Sequence, residues 1–398
     1  MKVCLAIYAG GRGRLVDGPS GAPLKCASRI ISARVAHFGR PPVVISKAGR
    51  GRPSRKFILE QVDLGMSDLA RTGGLPSGDE NEQIWRGIWF EEAHNSTAIE
   101  GNTLALKQVK VLLDEGRPIG NKELCEYLDV QWYAQAATWV YGQARSHDGW
   151  GRVGAISRTE LREIHRLTVQ LAWEVCPPDD PPLDPGEHAG NFRRHDIAQF
   201  PDGLKPPPFP EVDAHVTDWL NLVEAGTAEG EHFLTHLARV HAVFEAIHPF
   251  RDGNGRVGRL VLNLLLVRNG YPPAVIRKKS RSAYLRGIRR ADTGDFAPLA
   301  EIIARAVKES LDRFLLPNLA GPVKLMPLSA LERPGLNPRG LRAAVEKGRL
   351  KARRDEHGRW LSTRQWVDEY IMTRTVGRPR KDTVARPPTI SAPQRRHP

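Results

Sequence analysis

The stretch His248-Pro249-Phe250-Arg251-Asp252-Gly253-Asn254-Gly255-Arg256-Val257-Gly258-Arg259 packs a base, an acid, three glycines and spaced arginines into twelve residues. Gly253 to Gly258 matches G-x-G-x-x-G, the fingerprint of dinucleotide-binding βαβ units, and the fold depends on whether that match is accepted. The fingerprint requires a strand directly before it and an acidic residue about 20 positions on. Neither is present. Phe233, Leu237, Val240, Phe244 and Ile247 instead recur at helical spacing up to His248, and Tyr271 to Lys279 contains no acid. Pro249 cannot continue that helix, so the motif enters a loop. Leu260 to Val267 then predicts a buried helix, ended by Asn269-Gly270 with Pro272 and Pro273 behind. The order is helix, loop, helix.

Such a loop describes phosphate chemistry. The backbone N–H groups of Gly253, Asn254 and Gly255 would open the second helix, where unpaired donors and the positive dipole end favour an anion. Arg256 and Arg259 project from its first turn and could grip successive phosphates. Asp252 suits Mg²⁺, which takes one or two carboxylates plus phosphate oxygens; a simple helix-capping role is its alternative. His248 can remove a proton from an attacking hydroxyl. Together these make a phosphoryl or nucleotidyl transfer site.

Outward from the motif the chain reads as mainly helical. Ile84, Trp85, Ile88 and Trp89 predict a helix from about Glu80 to Glu100, stopped by Gly101-Asn102. Further helices are predicted over roughly 104–115, 121–145, 157–174, 211–225, 280–291 and 296–314. Residues 190–200, ending at Pro201-Asp202-Gly203, predict a small hairpin. His232 and His236 stand four apart, as metal ligands do, but lack the accompanying glutamate of H-E-x-x-H; packing histidines are the plainer reading. Tyr284 reads equally as a core residue or a wall of an adenine pocket.

After a proline linker, a short helix at 328–333, a turn at Gly335-Leu336-Asn337, a helix over 338–347 and a hairpin over 350–361 give the order of a winged helix-turn-helix. Its Arg339, Arg342, Arg353 and Arg354, with Lys347 and Arg359, could meet DNA phosphates or a major groove, or the unit could serve protein contacts. The formal net charge of +14 divides unevenly. Residues 1–55 hold 11 basic and 1 acidic side chains, residues 320–398 hold 18 and 7, and the middle holds 30 and 37. A polyanion such as DNA would be met by the ends, and a small-molecule site belongs in the acidic middle. Residues 1–55 and 373–398 lack sustained periodicity and are expected to be disordered. Their Arg50-Gly51-Arg52-Pro53 and Gly377-Arg378-Pro379 resemble cores that lie in an A·T minor groove. Four widely spaced cysteines suggest neither a disulfide framework nor a zinc site, which favours a reducing cytoplasm. No run approaches the roughly 18 apolar residues of a membrane span.

The motif resembles the signature of Fic (Fido) domains, H-P-F-x-(D/E)-G-N-G-R-x-x-R, at every defining position, and the resemblance extends from about Ser96 to about Leu315. It implies a helical fold that transfers AMP from ATP to a Ser, Thr or Tyr hydroxyl of a protein, the chain itself included. By position, His248 would be the general base, Phe250 the loop's core anchor and Asp252 the Mg²⁺ ligand. Gly253, Asn254 and Gly255 would hold the α-phosphate, and Arg256 and Arg259 the outer phosphates. Phe192, Arg193 and Ile197 would belong to a flap that docks the target by strand pairing. Ser96-Thr97-Ala98-Ile99-Glu100-Gly101 resembles the family's inhibitory pattern (S/T)-x-x-x-E-(G/N), in which Glu100 would pair with Arg259. The expected organisation is a leader (1–55), a helical region with the inhibitory helix (56–150), a catalytic domain (151–316), a winged helix-turn-helix (322–372) and a tail (373–398). The alternatives are a DNA-binding regulator that senses nucleotide with little turnover, and a Fic enzyme that transfers another phosphate-containing group or removes AMP. A homo-oligomer is compatible with the sequence.

Overall fold

A computed structural model describes residues 53–373 apart from 72, 77–81, 146–154, 179–183, 185, 201–203, 320–323 and 356. The expected tail, nearly all of the expected leader and the central residues of both minor-groove-like cores lie outside the described residues.

The architecture is mainly helical, and the helix that follows the glycine motif is its axis. This helix, α8 (Asn254–Arg268), is buried from Arg256 through Val267. It packs against α2 (Glu82–Ile99), α4 (Leu124–Arg145), α5 (Arg158–Val175) and α7 (Phe233–Ile247). A helix enclosed on all sides needs partners for its polar groups. Asn263 finds them in Glu92 (2.8 Å) and the Ala274 N–H (2.8 Å), and Arg268 pairs with the buried Glu160 (2.5 Å). Glu160 also closes a capping box with Ser157 at the start of α5, so one carboxylate ties a helix start to the end of α8.

The remaining helices form a shell. They are α1 (Arg55–Ala70), α3 (Leu106–Glu115), α6 (Val212–Ala225), α9 (Arg281–Asp292) and α10 (Ala297–Ser310); a π-helical turn (Leu311–Leu315) leads from α10 into the short α11 (Leu316–Leu319). Trp219 of α6 donates its indole N–H to the Val240 carbonyl (2.9 Å), pinning α6 on α7. The C-terminal segment holds a short 3₁₀ helix (Leu328–Leu331), α12 (Pro338–Glu346), α13 (Arg364–Thr373) and an antiparallel sheet of order β1-β3-β2. Its strands are β1 (Met326–Pro327), β2 (Arg353–Arg354) and β3 (Trp360–Ser362). Arg359 bonds Asp355 (2.7 Å) and reaches Asp68 of α1 (3.2 Å), so it serves packing.

Three expectations change. Helix α1 was not anticipated, although Ile58, Val62, Gly65 and Leu69 recur at helical spacing as its buried face and Phe57, Leu59 and Met66 pack beside them. The hairpin over 190–203 is absent as strands among the described residues, where Phe200 N–H bonds the Leu204 carbonyl (2.8 Å). Cys125 and Cys176 form a disulfide with Cα atoms 6.2 Å apart. Their 51-residue separation hides that the packing of α4 on α5 brings the first turn of one beside the end of the other. The expectation of unpaired cysteines falls, and with it the cysteine argument for a reducing compartment. Among the described residues no helix is long and apolar enough to cross a membrane.

Candidate active site

Helix α7 delivers His248, which caps it in the left-handed conformation (φ 49°, ψ 61°) and is the one non-glycine residue with positive φ among those described. That conformation costs about 1–2 kcal/mol, and neighbours hold it: His248 N–H donates to Phe244 (3.1 Å), and Arg193 Nε grips the His248 carbonyl (2.9 Å). The imidazole Nδ1 lies 3.3 Å from the Glu245 carbonyl. A carbonyl only accepts, so Nδ1 carries the proton and Nε2 keeps its lone pair. Burial lowers the pKa of this ring against the opposing pull of the Glu245 carbonyl, which favours the neutral base.

The loop is braced from within. Phe250 is fully buried and lies flat on His165, ring centroids 3.8 Å apart. Asn254 spans the loop, accepting from Phe250 N–H (2.9 Å) and donating to its carbonyl (2.7 Å). His165 Nδ1 accepts the Gly190 N–H (2.8 Å), so its Nε2 donates to the Asp252 carbonyl (3.1 Å). Burial drives the His165 pKa down to about 3 and keeps it neutral. Gly253 then takes φ 80°, where a side chain would be strained, and α8 begins.

Asp252 and Arg256 form a pair (2.8 Å) one turn apart, and Arg256 also binds Asp129 of α4. Burial raises the Asp252 pKa, but Arg256 and the Gly253 N–H outweigh it, and the carboxylate stays ionised. Its side chain is half-exposed. One hard, ionised oxygen donor at a helix N-terminus fits Mg²⁺ completed by phosphate oxygens and water. Among the described residues no group of three or more His, Cys, Asp or Glu side chains is placed to hold a metal. Asp129, which the sequence reading passed over, also accepts from Asn102 (3.3 Å), the residue two past Glu100.

Arg259 is buried, and its Nε and Nη2 are engaged. Its Nε bonds Ser96 Oγ (2.7 Å), and its Nη2 bonds the Ser96 carbonyl (3.0 Å) and Glu100 Oε1 (2.7 Å). Burial acts against the guanidinium charge, yet Glu100 more than offsets this and raises the arginine's pKa. The Glu100 carboxyl lies directly over Gly255, in space that a Cβ there would fill. An acidic side chain therefore stands at the first turn of α8, where an anion is favoured.

Residues 155–266 match the Fic/DOC family model. The chain carries a Fic/DOC domain. The protein adenylyltransferase Fic of Aedes aegypti is 29% identical over 243 residues, 60% of this chain and 44% of that one. Its Culex quinquefasciatus counterpart is 28% identical over 273 residues, 67% and 50% of the two chains. The chain thus spans about half the length of these curated relatives. Among solved structures, a Fic domain containing signaling protein from Bacteroides thetaiotaomicron superposes with TM-score 0.53 at 22% identity, over 63% of this chain and 94% of that one. Fic-1 from C. elegans gives 0.52 at 25% identity, over 66% and 72%.

The Fic domain thus gathers His248, Asp252, Gly253, Asn254, Gly255, Arg256 and Arg259 around one helix start. Other expectations shift. Arg193 is buried, with its guanidinium on the carbonyls of His248, His195 (2.8 Å) and Pro207 (2.6 Å), so it supports the loop from behind. Phe192 packs on Phe250 (5.5 Å), and Ile197 is half-buried. His232 caps α7 and meets Asp63 (3.1 Å). Tyr284 is a core residue whose hydroxyl meets His241 Nε2 (2.7 Å). Asp129 and His165 escaped notice because each lies far from the motif in sequence and carries no pattern of its own.

Proposed function

We propose that this chain transfers AMP from ATP to a hydroxyl of a protein acceptor and that Glu100 restrains the reaction. The observation that carries the reading is His248 Nε2, its lone pair set free by the Nδ1 bond to Glu245, at the N-terminal end of α8. The names of the relatives support it. In the transfer, the acceptor oxygen attacks the α-phosphorus as its proton passes to Nε2; the bond to the bridging oxygen breaks and pyrophosphate leaves. The first-turn N–H groups of α8 meet the charge on the α-phosphate. Asp252 would hold Mg²⁺, which supplies positive charge to the leaving phosphates. Arg259, engaged by Ser96 and Glu100, is withheld from the outer phosphates until Glu100 withdraws. Arg256, held between Asp129 and Asp252, acts by orienting the Asp252 carboxylate.

The test is to incubate Glu100→Gly protein with Mg²⁺ and ATP labelled at the α- or the γ-phosphorus. Protein-bound label from the α position alone is expected. Label from the γ position alone would mean phosphate transfer, and no label from either would sink the reading.

A second reading concerns the C-terminal unit, whose Arg339, Arg342, Arg353 and Arg354 all stand exposed on α12 and β2. Arg342 pairs with the equally exposed Glu346 (3.0 Å), and Arg354 lies over the Trp360 ring. These side chains suit duplex phosphates. Affinity for a labelled DNA duplex is expected to fall by at least about tenfold as salt rises from 50 to 200 mM; salt-independent affinity, or none at low salt, would leave the unit to protein contacts.

A further inference from the structure

Beside the loop that holds His248 lies a hollow of about 350 Å³ lined by Arg158, Arg162, Arg194, Asp213, Asn191, Phe192 and Gly186. It stands in a region of the chain whose net charge is negative, residues 56–319 carrying 30 basic and 37 acidic side chains. The three guanidiniums are not equally neutralised. Arg158 is bound to Asp213 and to Thr217 Oγ1 (2.6 Å). Arg194 has Asp184 at 3.6 Å, both side chains at least half exposed, a pair that water screens almost completely. The bonds Arg162 makes in the hollow go to neutral oxygens, the Gly190 carbonyl (2.7 Å) and Asn191 Oδ1, which leave its charge intact. Two of the three arginines therefore bring charge that the walls do not cancel.

The hollow is joined to the catalytic loop. Phe192 forms one wall beneath the Arg158 guanidinium (5.8 Å) and packs on Phe250 (5.5 Å). The next residue, Arg193, donates its backbone N–H to Pro249 (2.9 Å) and its Nε to His248 (2.9 Å). The Arg158 guanidinium thus lies within about 11 Å of the Phe250 ring, a step that two to four residues of extended chain cover at about 3.3 Å each.

We propose that this hollow is a recognition site for an acidic side chain of the protein acceptor, two to four residues from the hydroxyl that receives the nucleotide. The inference rests on the AMP-transfer reading and deepens it by naming the substrate class: hydroxyl-bearing segments flanked by Asp or Glu. Arg162 and Arg194 receive the carboxylate in forked, charge-assisted geometry, and Arg158, held by Asp213, forms the far wall. Phe192 gives the acceptor's stem an apolar surface. The selectivity arises because a carboxylate is met by charge already fixed in place, whereas a lysine at the same position is repelled.

The test uses full-length Glu100→Gly protein, Mg²⁺, ATP labelled at the α-phosphorus, and a peptide library with one central Ser, Thr or Tyr and Glu, Gln or Lys at two to four positions on either side. Peptides with Glu at one of these offsets are expected to be labelled at least about fivefold faster than their Gln counterparts, and Lys peptides slower still. In Arg194→Glu protein the order is expected to invert in favour of Lys. That gain of preference cannot come from a misfolded variant, and Arg162→Gln should flatten the preference without inverting it. Equal labelling of Glu and Gln peptides, an unchanged order in Arg194→Glu, or self-modification with no peptide labelled would each overturn the proposal. Loss of self-modification and peptide labelling together in the parent protein would instead overturn the AMP-transfer reading.

Discussion

The loop between α7 and α8 and the segment that covers it are built differently. In the loop local braces, His248 to Glu245, Phe250 to Asn254 and Asp252 to Arg256, each three or four residues apart, join the distant His165 and Arg193. In the cover the braces are remote. Ser96 and Glu100 reach Arg259 across 163 and 159 residues, and Asp129 reaches Arg256 across 127. Local braces keep a site in shape whether or not the cover is in place. A remote ion pair with one half-exposed partner can be exchanged for a ligand's phosphates without unfolding anything. If the proposed reading holds, machinery and restraint are separable, and substitutions should separate them.

The largest expected effect belongs to the machinery. His248→Ala, made in the Glu100→Gly background, is expected to lower AMP incorporation by at least about 10³-fold, within the range for loss of a general base. Nucleotide binding measured by calorimetry should survive. Retained transfer would move the proton to another group, and lost binding would show that the loop depends on His248 for its shape.

Asn254→Ala tests the local brace. It leaves the buried Phe250 N–H and carbonyl without partners, at a cost of about 1–3 kcal/mol in urea unfolding. Activity should fall even in the Glu100→Gly background. A variant as stable as the parent would mean that His165 alone orders the loop.

An effect confined to high pH concerns Glu245, which lies where loop and cover meet. Burial raises its pKa from 4.5 to about 7, against the lowering pull of Arg259, and Oε1 has no hydrogen-bond partner. A carboxyl whose folded pKa is raised contributes stability at low pH that is lost as pH rises through the folded value. Glu245→Gln should therefore match the parent near pH 4 and exceed it by about 1–3 kcal/mol near pH 8. A difference independent of pH would assign the effect to packing.

The same contrast explains what the sequence made legible. The stripe from Phe233 to Ile247 and the proline after His248 located the helix, loop and helix because the signals are local. Glu100 was legible through a six-residue pattern, and Ser96 through the same stretch. Asp129 and His165 were not: a lone Asp in α4 and a lone His in α5 acquire meaning only when packing carries them to Arg256 and Asp252. The Cys125–Cys176 bond was hidden for the same reason. Arg193 was assigned to a target-docking flap by resemblance, and only the fold reveals the carbonyls of His248, His195 and Pro207 that it serves. Helix α1 was missed although Ile58, Val62 and Leu69 mark its buried face at helical spacing, because it adjoins the basic Gly- and Pro-rich leader and was read with it.

The central claim is that Glu100 restrains a competent site by holding Arg259. Its most direct measure is the initial rate of protein-bound label from ATP labelled at the α-phosphorus, compared between the unmodified chain and Glu100→Gly at equal concentration. The account predicts a rise of at least about tenfold, equivalent to 1.4 kcal/mol at the barrier. Equal rates, or a slower variant, would contradict it and leave the Glu100–Arg259 pair a structural contact.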